Sequence, residues 1–313
     1  MSIDELTDRI RRAINTIEVQ EDLLQDEPAW NAICSALDLI GDTGEAIYSY
    51  EQIESCDDKG LCYLYIYGVL QTLLLQQDAA KEISELLNLG SKIPKQLQRI
   101  RIIRNSAAGH PAKQREKGKH KASFITRISL TWKQFELSTH HADDQSSEVK
   151  FETIDVKALL LIQREYLGEV LIRSAEELER RVSDKREKYR DQKLVDCLPD
   201  QLRYYLNKAY DSTKDQASFP SGTLHVGYVL EAVDKMEEQL TIRNEWDVQQ
   251  SVKAVVETIR YALGRVEDYF SETGRISIPR NDAEIFIDHV GVKVNELRSL
   301  AAEIDDRYES NVL

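Results

Sequence analysis

The sequence predicts a mainly α-helical protein, in which an N-terminal helical bundle with a small β-hairpin insertion is followed by a C-terminal helical bundle. Over most of the 313 residues, apolar positions recur at the spacing of amphipathic helices. Between residues 123 and 154, β-branched and aromatic residues alternate roughly with polar ones, which is typical of strands. The composition, 42% hydrophobic and 31% charged, is that of a globular chain.

The N-terminal bundle is expected to begin at a capping box, in which Ser2 and Glu5 precede apolar residues at helical spacing. A helix from Trp30 to Ile40 and a shorter helix from Ala46 to Ile53 follow. The sequence Gly41-Asp42-Thr43-Gly44 is predicted to separate them, because glycines and capping residues favour a break.

Two longer helices complete the predicted bundle. Leu61 to Leu87 is the most apolar stretch and has the length of a central bundle helix. Ile93 to Ala108 forms the next helix, with Pro94 in the first turn, where proline is tolerated. Gln76-Gln77-Asp78 interrupts the apolar character of the first of these helices, so it is either exposed or part of a buried polar network.

The insertion is predicted to contain two short strands, Ser123 to Ser129 and Thr131 to Ser138, with Val149 to Ile154 as a candidate third. Asp155 then opens a long helix. From Glu176 onward this helix is so highly charged that we expect it to leave the first domain and bridge toward a second. The predicted domains are therefore residues 1–175 and residues 176–313.

The C-terminal domain is predicted to be helical and contains no chemical motif that we can name. Arg243-Asn244 is interpreted as helix surface, because no histidine lies within reach of it in the sequence. The predicted helices are Gln201–Tyr210, Leu224–Trp246, Val248–Phe270 and Ala283–Tyr308.

Charge is distributed unevenly along the chain, whose net charge is −14. Lys92 to Lys133 contains twelve Lys or Arg and one acidic residue, a local charge of +11, so the rest of the chain carries −25. This asymmetry indicates one basic surface on an acidic body, which would concentrate a polyanion at one place. A solvated basic loop without a ligand explains the pattern equally well.

The cysteines and the apolar runs indicate a cytoplasmic protein. Cys34, Cys56, Cys62 and Cys197 show no metal-binding spacing, and Cys34 and Cys62 lie in apolar helical stretches where they act as small core residues. A reducing compartment is consistent with this pattern. No apolar run approaches the ~20 residues that span a bilayer, and the N-terminus lacks the pattern of a signal peptide.

The segment Arg104-Asn105-Ser106-Ala107-Ala108-Gly109-His110-Pro111 carries residues suited to RNA cleavage. A histidine can accept or donate a proton near neutral pH, and an arginine can hold a phosphate and offset developing charge. Asn105 can orient either side chain. A purely structural interpretation remains open, in which Arg104 meets solvent or an acid, His110 interacts with the helix dipole and Asn105 is a cap.

This segment resembles the motif of the HEPN family, which has an arginine, a polar residue, a short spacer and a histidine near the end of a bundle helix. The apolar helix segment from Tyr63 to Ala79 and the Gly-His-Pro ending before a strand pair also resemble bacterial HEPN-like proteins. The resemblance covers about residues 1–175. It implies a metal-independent endoribonuclease without a cofactor, acting as a dimer with a composite cleft, in a toxin or phage-defence setting.

Geometry also favours two protomers. If the helix continued to His110, Arg104 and His110 would lie ~9 Å apart along its axis and on different faces. One protomer would therefore be a poor active site, and Gly109, expected at the C′ position, would turn His110 back toward a shared cleft. Five basic residues are predicted to hold the RNA backbone without sequence preference, namely Lys113, Arg115, Lys117, Lys119 and Lys121.

Two other functions compete with RNA cleavage. The first is a non-catalytic binding or scaffold module, whose acidic C-terminal half recognises a protein partner or antitoxin. The second is an enzyme that modifies a nucleotide or protein and uses the cleft for binding only. His140-His141-Ala142-Asp143-Asp144 is a weak metal pattern, so no metal is expected there. Trp132 either stacks on a base or packs against the bundle, and packing is the more common role of such a side chain.

Overall fold

The structure is a computed structural model that describes residues 1–24, 27–90, 92–109, 114–116, 119–141, 149–271 and 278–309, with only the backbone at residues 21, 24, 27, 114–116, 119, 120 and 141. It is mainly helical with one small antiparallel sheet, which confirms the predicted fold class. The chain divides into an N-terminal unit, Met1–Thr16 with Leu23–Arg180, and a C-terminal unit, Ile17–Asp22 with Arg181–Leu313.

The first half of the chain contains the following elements in order: α1 Ile3–Ile14, α2 Ile17–Leu24, α3 Glu27–Glu51, α4 Lys59–Leu86, α5 Lys95–Arg104, a π-helical turn Asn105–Gly109, β1 Gln114–Glu116, β2 Lys119–Ile125, β3 Gln134–His141, β4 Lys150–Asp155 and α6 Val156–Tyr189. The second half contains 3-10 turns at Leu194–Cys197 and Gln216–Ser218 and the helices α7 Gln201–Ser212, α8 Phe219–Ile242, α9 Gln250–Phe270 and α10 Arg280–Glu309.

Side-chain caps fix the starts of several helices. The capping box predicted at α1 is confirmed, since Glu5 N donates to Ser2 Oγ over 3.1 Å and Ser2 N donates to Glu5 Oε2 over 2.6 Å. Asp155 Oδ1 accepts from Lys157 N over 2.8 Å at the start of α6. These contacts satisfy backbone N–H groups that have no partner within the helix.

Helix α3 runs without interruption through Gly41 and Gly44, so the predicted break at residues 41–44 is wrong. A single apolar face continues across the glycines, with Leu37, Ile40 and Ile47 all buried. This face packs along α4, and the packing outweighs the low helix propensity of the glycines.

The core of the N-terminal unit includes a buried polar network on α4 and α6. Gln77 Nε2 donates to Gln163 Oε1 over 2.9 Å, and Gln163 Nε2 donates to Leu73 O over 3.0 Å. Gln76 also accepts from Gln163. The polar interruption in α4 was expected to be either exposed or part of a buried network. Gln76 and Gln77 belong to a buried network, whereas Asp78 is exposed.

The insertion is larger than the predicted hairpin, because its strands form one antiparallel sheet in the order β1-β2-β3-β4. The predicted strand ends were also wrong: residues 127–129 form a turn, and β3 begins at Gln134. Thr131 Oγ1 accepts from Gln134 N over 3.0 Å, and this local contact turns the chain before β3. The inner sheet face packs on the bundle through Ile125, Phe135, Leu137 and Ile154.

Trp132 packs against the bundle, which is the commoner of the two fates considered for it. Its indole Nε1 donates to Ile53 O over 3.2 Å, and its ring is partly buried beside the N-terminal core.

The C-terminal unit has its own core, formed by the apolar faces of α7 to α10. Arg243 is only 1% exposed and lies between the rings of Tyr189 and Tyr308, so its interpretation as helix surface is wrong. Asp305 lies 4.0 Å from the guanidinium. Arg243 is the C-cap of α8, and Asn244 follows it with a positive φ of 56°.

No helix in the described part of the chain is both long enough and apolar enough to cross a membrane.

Candidate active site

The α-helical hydrogen bonding of α5 ends at Arg104, and the chain continues as a π-helical turn over Asn105–Gly109. The backbone N–H of Asn105 contacts both Arg101 O and Ile102 O, so this N–H still bonds in the α-helical manner, with an added 3-10 contact. Ser106 and Ala107 of the turn are buried. Short π-helical turns at the end of α-helices occur frequently at functional sites, because they re-aim the side chains beside them.

Arg104 is held by two neutral amide groups. Its Nε and Nη2 donate to Gln71 Oε1 over 3.1 and 2.5 Å, and its Nη1 donates to Asn105 Oδ1 over 3.0 Å. These contacts use three of the five guanidinium N–H groups, one on Nε and one on each terminal nitrogen. The other two N–H groups, one on each terminal nitrogen, have the spacing that binds a phosphate through two oxygens.

The other arginines at the end of α5 have acidic partners. Arg101 Nη1 lies 2.7 Å from Asp78 Oδ1, and Arg99 pairs with Glu152. Among the described residues, the contacts of Arg104 are to amide oxygens, which carry no net charge. No acidic side chain in the described part of the chain therefore pairs with Arg104, whereas Arg99 and Arg101 each pair with a carboxylate.

Gly109 allows the guanidinium of Arg104 to lie over the π-helical turn. A Cβ atom at this position would lie 2.7 Å from Arg104 Nη1 and 3.2 Å from Asn105 Oδ1. The expected role of Gly109 as a C′ residue was wrong, because among the described glycines only Gly90 has a positive φ. Glycine here leaves room for the guanidinium of Arg104 and is not needed for the backbone conformation, since a Cβ would displace the end of that side chain.

An open depression adjoins this turn and is lined by Tyr63, Tyr67, Ala107, Phe124 and Ile125. Burial and the neighbouring Tyr63 raise the pKa of Tyr67, so its hydroxyl stays protonated at neutral pH and can donate a hydrogen bond.

Of the three predicted catalytic residues, the structure brings Arg104 and Asn105 together. His110 lies outside the described residues, as do Lys113 and Lys117 of the predicted RNA-binding set. Arg115 and Lys119 belong to β1 and β2, where only the backbone is described, and Lys121 lies on β2 opposite His141.

Gln71 is a site residue that sequence reasoning missed. The signal for it is the antiparallel packing of α4 and α5, in which Arg101 meets Asp78. Arg104 lies one turn after Arg101 on α5, and Gln71 lies before Asp78 on α4. Because the two helices are antiparallel, Arg104 lies beside Gln71.

Within the described ranges, no group of three or more His, Cys, Asp or Glu side chains is arranged to hold a metal ion. Residues 142–144 of the histidine–aspartate pattern lie outside those ranges.

Comparison with family models, with curated proteins and with solved structures found no match to this chain. The resemblance to HEPN proteins therefore depends on the residues of the motif and their position at the end of α5.

Proposed function

We propose that this chain is a metal-independent endoribonuclease of the HEPN type, with Arg104, Asn105 and His110 in its active site. The observation that carries the proposal is the guanidinium of Arg104, which is held in place by neutral amides and keeps two N–H groups for a phosphate. Gly109 leaves room for this position of the guanidinium above the π-helical turn.

The proposed reaction is an attack by the RNA 2′-oxygen on the adjacent phosphorus atom. The bond to the 5′-oxygen of the next nucleotide breaks, which leaves a 2′,3′-cyclic phosphate and a 5′-hydroxyl end. His110 transfers the proton, and Arg104 stabilises the charge that develops on the phosphate oxygens. Asn105 acts as a positioning residue, because its side-chain oxygen accepts from Arg104 Nη1.

The active unit in this proposal is a homodimer formed across α4 and α5. The outer surface of α4 exposes Leu61, Leu64 and Tyr67 beside the helix turn that carries Gln71, and Ile102 of α5 is also exposed. Leu64 alone is 66% exposed, which is unusual for a large apolar side chain in a row of others. A second copy of the chain would cover this surface and add the second Arg104 and His110.

The family resemblance suggests a cytoplasmic toxin or phage-defence protein, with the C-terminal unit as the part that recognises a protein partner or antitoxin. A group of rings on α7 and α8, in which Tyr204 and Tyr228 are exposed and Tyr205 and His225 half-buried, is a suitable contact surface for a protein. The same rings favour the alternative function of a non-catalytic scaffold.

RNA cleavage by the purified protein in excess chelator tests the catalytic proposal. We expect wild type to produce 2′,3′-cyclic ends, and Arg104→Ala and His110→Ala each to lose activity by about 100-fold or more. Arg101→Ala is the matched control, since it removes an arginine of the same helix that is paired with Asp78. Equal cleavage by wild type and His110→Ala would reject the assignment, and absence of cleavage by pure wild type would favour the scaffold.

A further inference from the structure

The outer face of the sheet, turned away from the bundle, exposes aromatic rings. Phe124 on β2 is 51% exposed and Phe151 on β4 is 61% exposed, although phenylalanine is usually buried. On β3, opposite Ala122, the ring of His140 lies 5.9 Å from that of Phe124 in an edge-to-face arrangement. Bundle packing is carried by the opposite face, so these rings make no contribution to the main core.

Strand register places the two phenylalanines in one row across the sheet. Phe124 pairs with Ser138, and Ser138 pairs with Phe151. Since neighbouring strands lie ~4.8 Å apart, the two Phe positions are separated by ~10 Å. Ser138 is fully buried beneath the row, which indicates that the rings form a continuous surface over β3.

This row of rings adjoins the candidate active site. Phe124 lines the same depression as Ala107, and Ala107 belongs to the π-helical turn that follows Arg104. Tyr67 of α4 lines the other side of that depression. A ligand lying along the row would therefore reach the turn without leaving the surface of the N-terminal unit.

Charge in this part of the chain favours a polyanion. The segment from Lys92 to Lys133, which includes β1 and β2, contains twelve Lys or Arg and one acidic residue. Glu136 on β3 and Asp155 on β4 occupy positions of the same alternation among the described residues, and both lie toward the end of the sheet where β3 begins. Exposed aromatic rings beside a basic segment are the combination that holds single-stranded nucleic acid, because bases stack on the rings and the positive charge attracts the backbone.

We propose that the outer face of the sheet is a stacking platform for single-stranded RNA, with Phe124 and Phe151 each contacting one base and His140 beside Phe124. The platform deepens the proposed function and rests on it, since it would deliver RNA to Arg104. Stacking is tolerant of base identity, so the platform binds single strands without sequence preference and does not bind duplex RNA, whose bases are already stacked.

Fluorescence anisotropy with a labelled oligouridylate tests the platform. The measurements use the His110→Ala background, so that the RNA stays intact. We expect Phe124→Ala and Phe151→Ala each to weaken binding by about tenfold, and the labelled duplex of equal length to bind equally to all variants. Leu161→Ala is the control, because it removes a side chain that is 55% exposed on α6, outside the sheet.

Phe124→Leu and Phe124→Trp separate stacking from general apolar contact. Leucine retains apolar surface without a π face and should bind as weakly as alanine, whereas tryptophan should bind at least as tightly as phenylalanine. Unchanged oligouridylate binding in both alanine variants would overturn the platform. So would a change in protomer number, measured by light scattering, without a change in RNA affinity, because the face would then be a protein interface.

The outcomes for the platform and for catalysis are distinguishable. If wild type cleaves RNA and the phenylalanine variants bind oligouridylate normally, the platform is wrong and the proposed function stands. If the phenylalanines are needed for oligouridylate binding but wild type cleaves no RNA, the catalytic proposal fails and the binding surface stands.

Discussion

Arg104 differs from its neighbours on α5 in the chemistry of its partners. Arg99 and Arg101 meet carboxylates, which balance their charge, whereas Arg104 meets the amide oxygens of Gln71 and Asn105. The two amide oxygens hold the guanidinium in place through hydrogen bonds. Because an amide carries no net charge, it does not balance the charge of the arginine. At the scale of single residues, the candidate site therefore depends both on the hydrogen bonds that hold Arg104 and on the lack of a carboxylate among its described partners.

Gln71→Glu tests whether the availability of charge matters more than position. The carboxylate would keep the contacts with Arg104 and strengthen them, but it would neutralise the guanidinium toward a phosphate. We expect RNA cleavage to fall by about tenfold or more while the melting temperature does not fall. Gln71→Leu, which removes the acceptor, is the companion variant. Full activity in Gln71→Glu would contradict the proposed role of the neutral partner.

Gly109→Ala tests the space above the π-helical turn. The new Cβ would lie 2.7 Å from Arg104 Nη1, so the guanidinium must move away from the turn. We expect cleavage to fall by about tenfold or more, since a transition-state contact is displaced. The free energy of unfolding should not fall in parallel with the cleavage rate, because alanine favours a helix over glycine by ~0.5–1 kcal/mol. The measurements are cleavage rate and urea unfolding on the same preparation, and a variant with wild-type activity would argue against this geometry.

At the scale of elements, α3 shows how tertiary packing overrides local propensity. Its glycines and capping residues favour a break, but the buried row that includes Leu37, Ile40 and Ile47 holds one helix across them. Thr43 is accommodated inside the helix, because its hydroxyl donates to Leu39 O over 2.6 Å instead of capping a new helix.

Gly41→Ala should stabilise the protein, because Gly41 lies inside α3 and a Cβ there would meet no atom within 4 Å. The expected gain in the free energy of unfolding is ~0.5–1 kcal/mol, from the lower backbone entropy of alanine in the unfolded chain. Urea unfolding followed by circular dichroism measures it. RNA cleavage should be unchanged, which also makes this variant the glycine control for Gly109→Ala; a loss of stability would indicate that α3 is broken in solution.

Sequence patterns predicted the helical elements well, because each long helix has a continuous apolar face. The four predicted C-terminal helices correspond to α7–α10 with shifted ends, and the long helix after Asp155 corresponds to α6. The sheet was less predictable: its register depends on pairing between distant strands, and the local contact of Thr131 that turns the chain leaves little trace in the hydrophobic pattern.

The candidate site was predictable only in part, for a similar reason. Arg104 and Asn105 are adjacent in sequence, so their contact follows from the motif. Gln71 lies 33 positions away from Arg104 and becomes a partner only when α4 and α5 pack. Arg243 was misinterpreted because its burial depends on Tyr189 and Tyr308, which come from other helices.

At the scale of the whole molecule, the two units have separate cores, and their buried polar groups serve different ends. In the C-terminal unit, Arg243 lies against aromatic rings and near Asp305, so its charged group is part of the packed core. In the N-terminal unit, Arg104 is only partly buried and its contacts leave N–H groups for a ligand. The same residue type thus has a structural role in one unit and a proposed chemical role in the other.

The proposed composite site predicts complementation between inactive variants. If Arg104 of one protomer acts with His110 of its partner, a mixed dimer of Arg104→Ala and His110→Ala chains contains one intact site and one doubly altered site. Co-refolding the two variants should therefore restore part of the RNA cleavage that each lacks alone. Restored activity should fall when Leu64→Asp is added to both chains, because a charge on the exposed face of α4 opposes its burial between copies.

Two further measurements make this prediction decisive. Light scattering should show a dimer for wild type and for both single variants, with the Leu64→Asp chains shifted toward monomers. Leu161→Asp is the matched control, since Leu161 is also an exposed leucine of the N-terminal unit but lies on α6. A mixture that forms dimers yet remains inactive would place Arg104 and His110 of the same protomer in one site, because a mixed dimer then contains no intact pair.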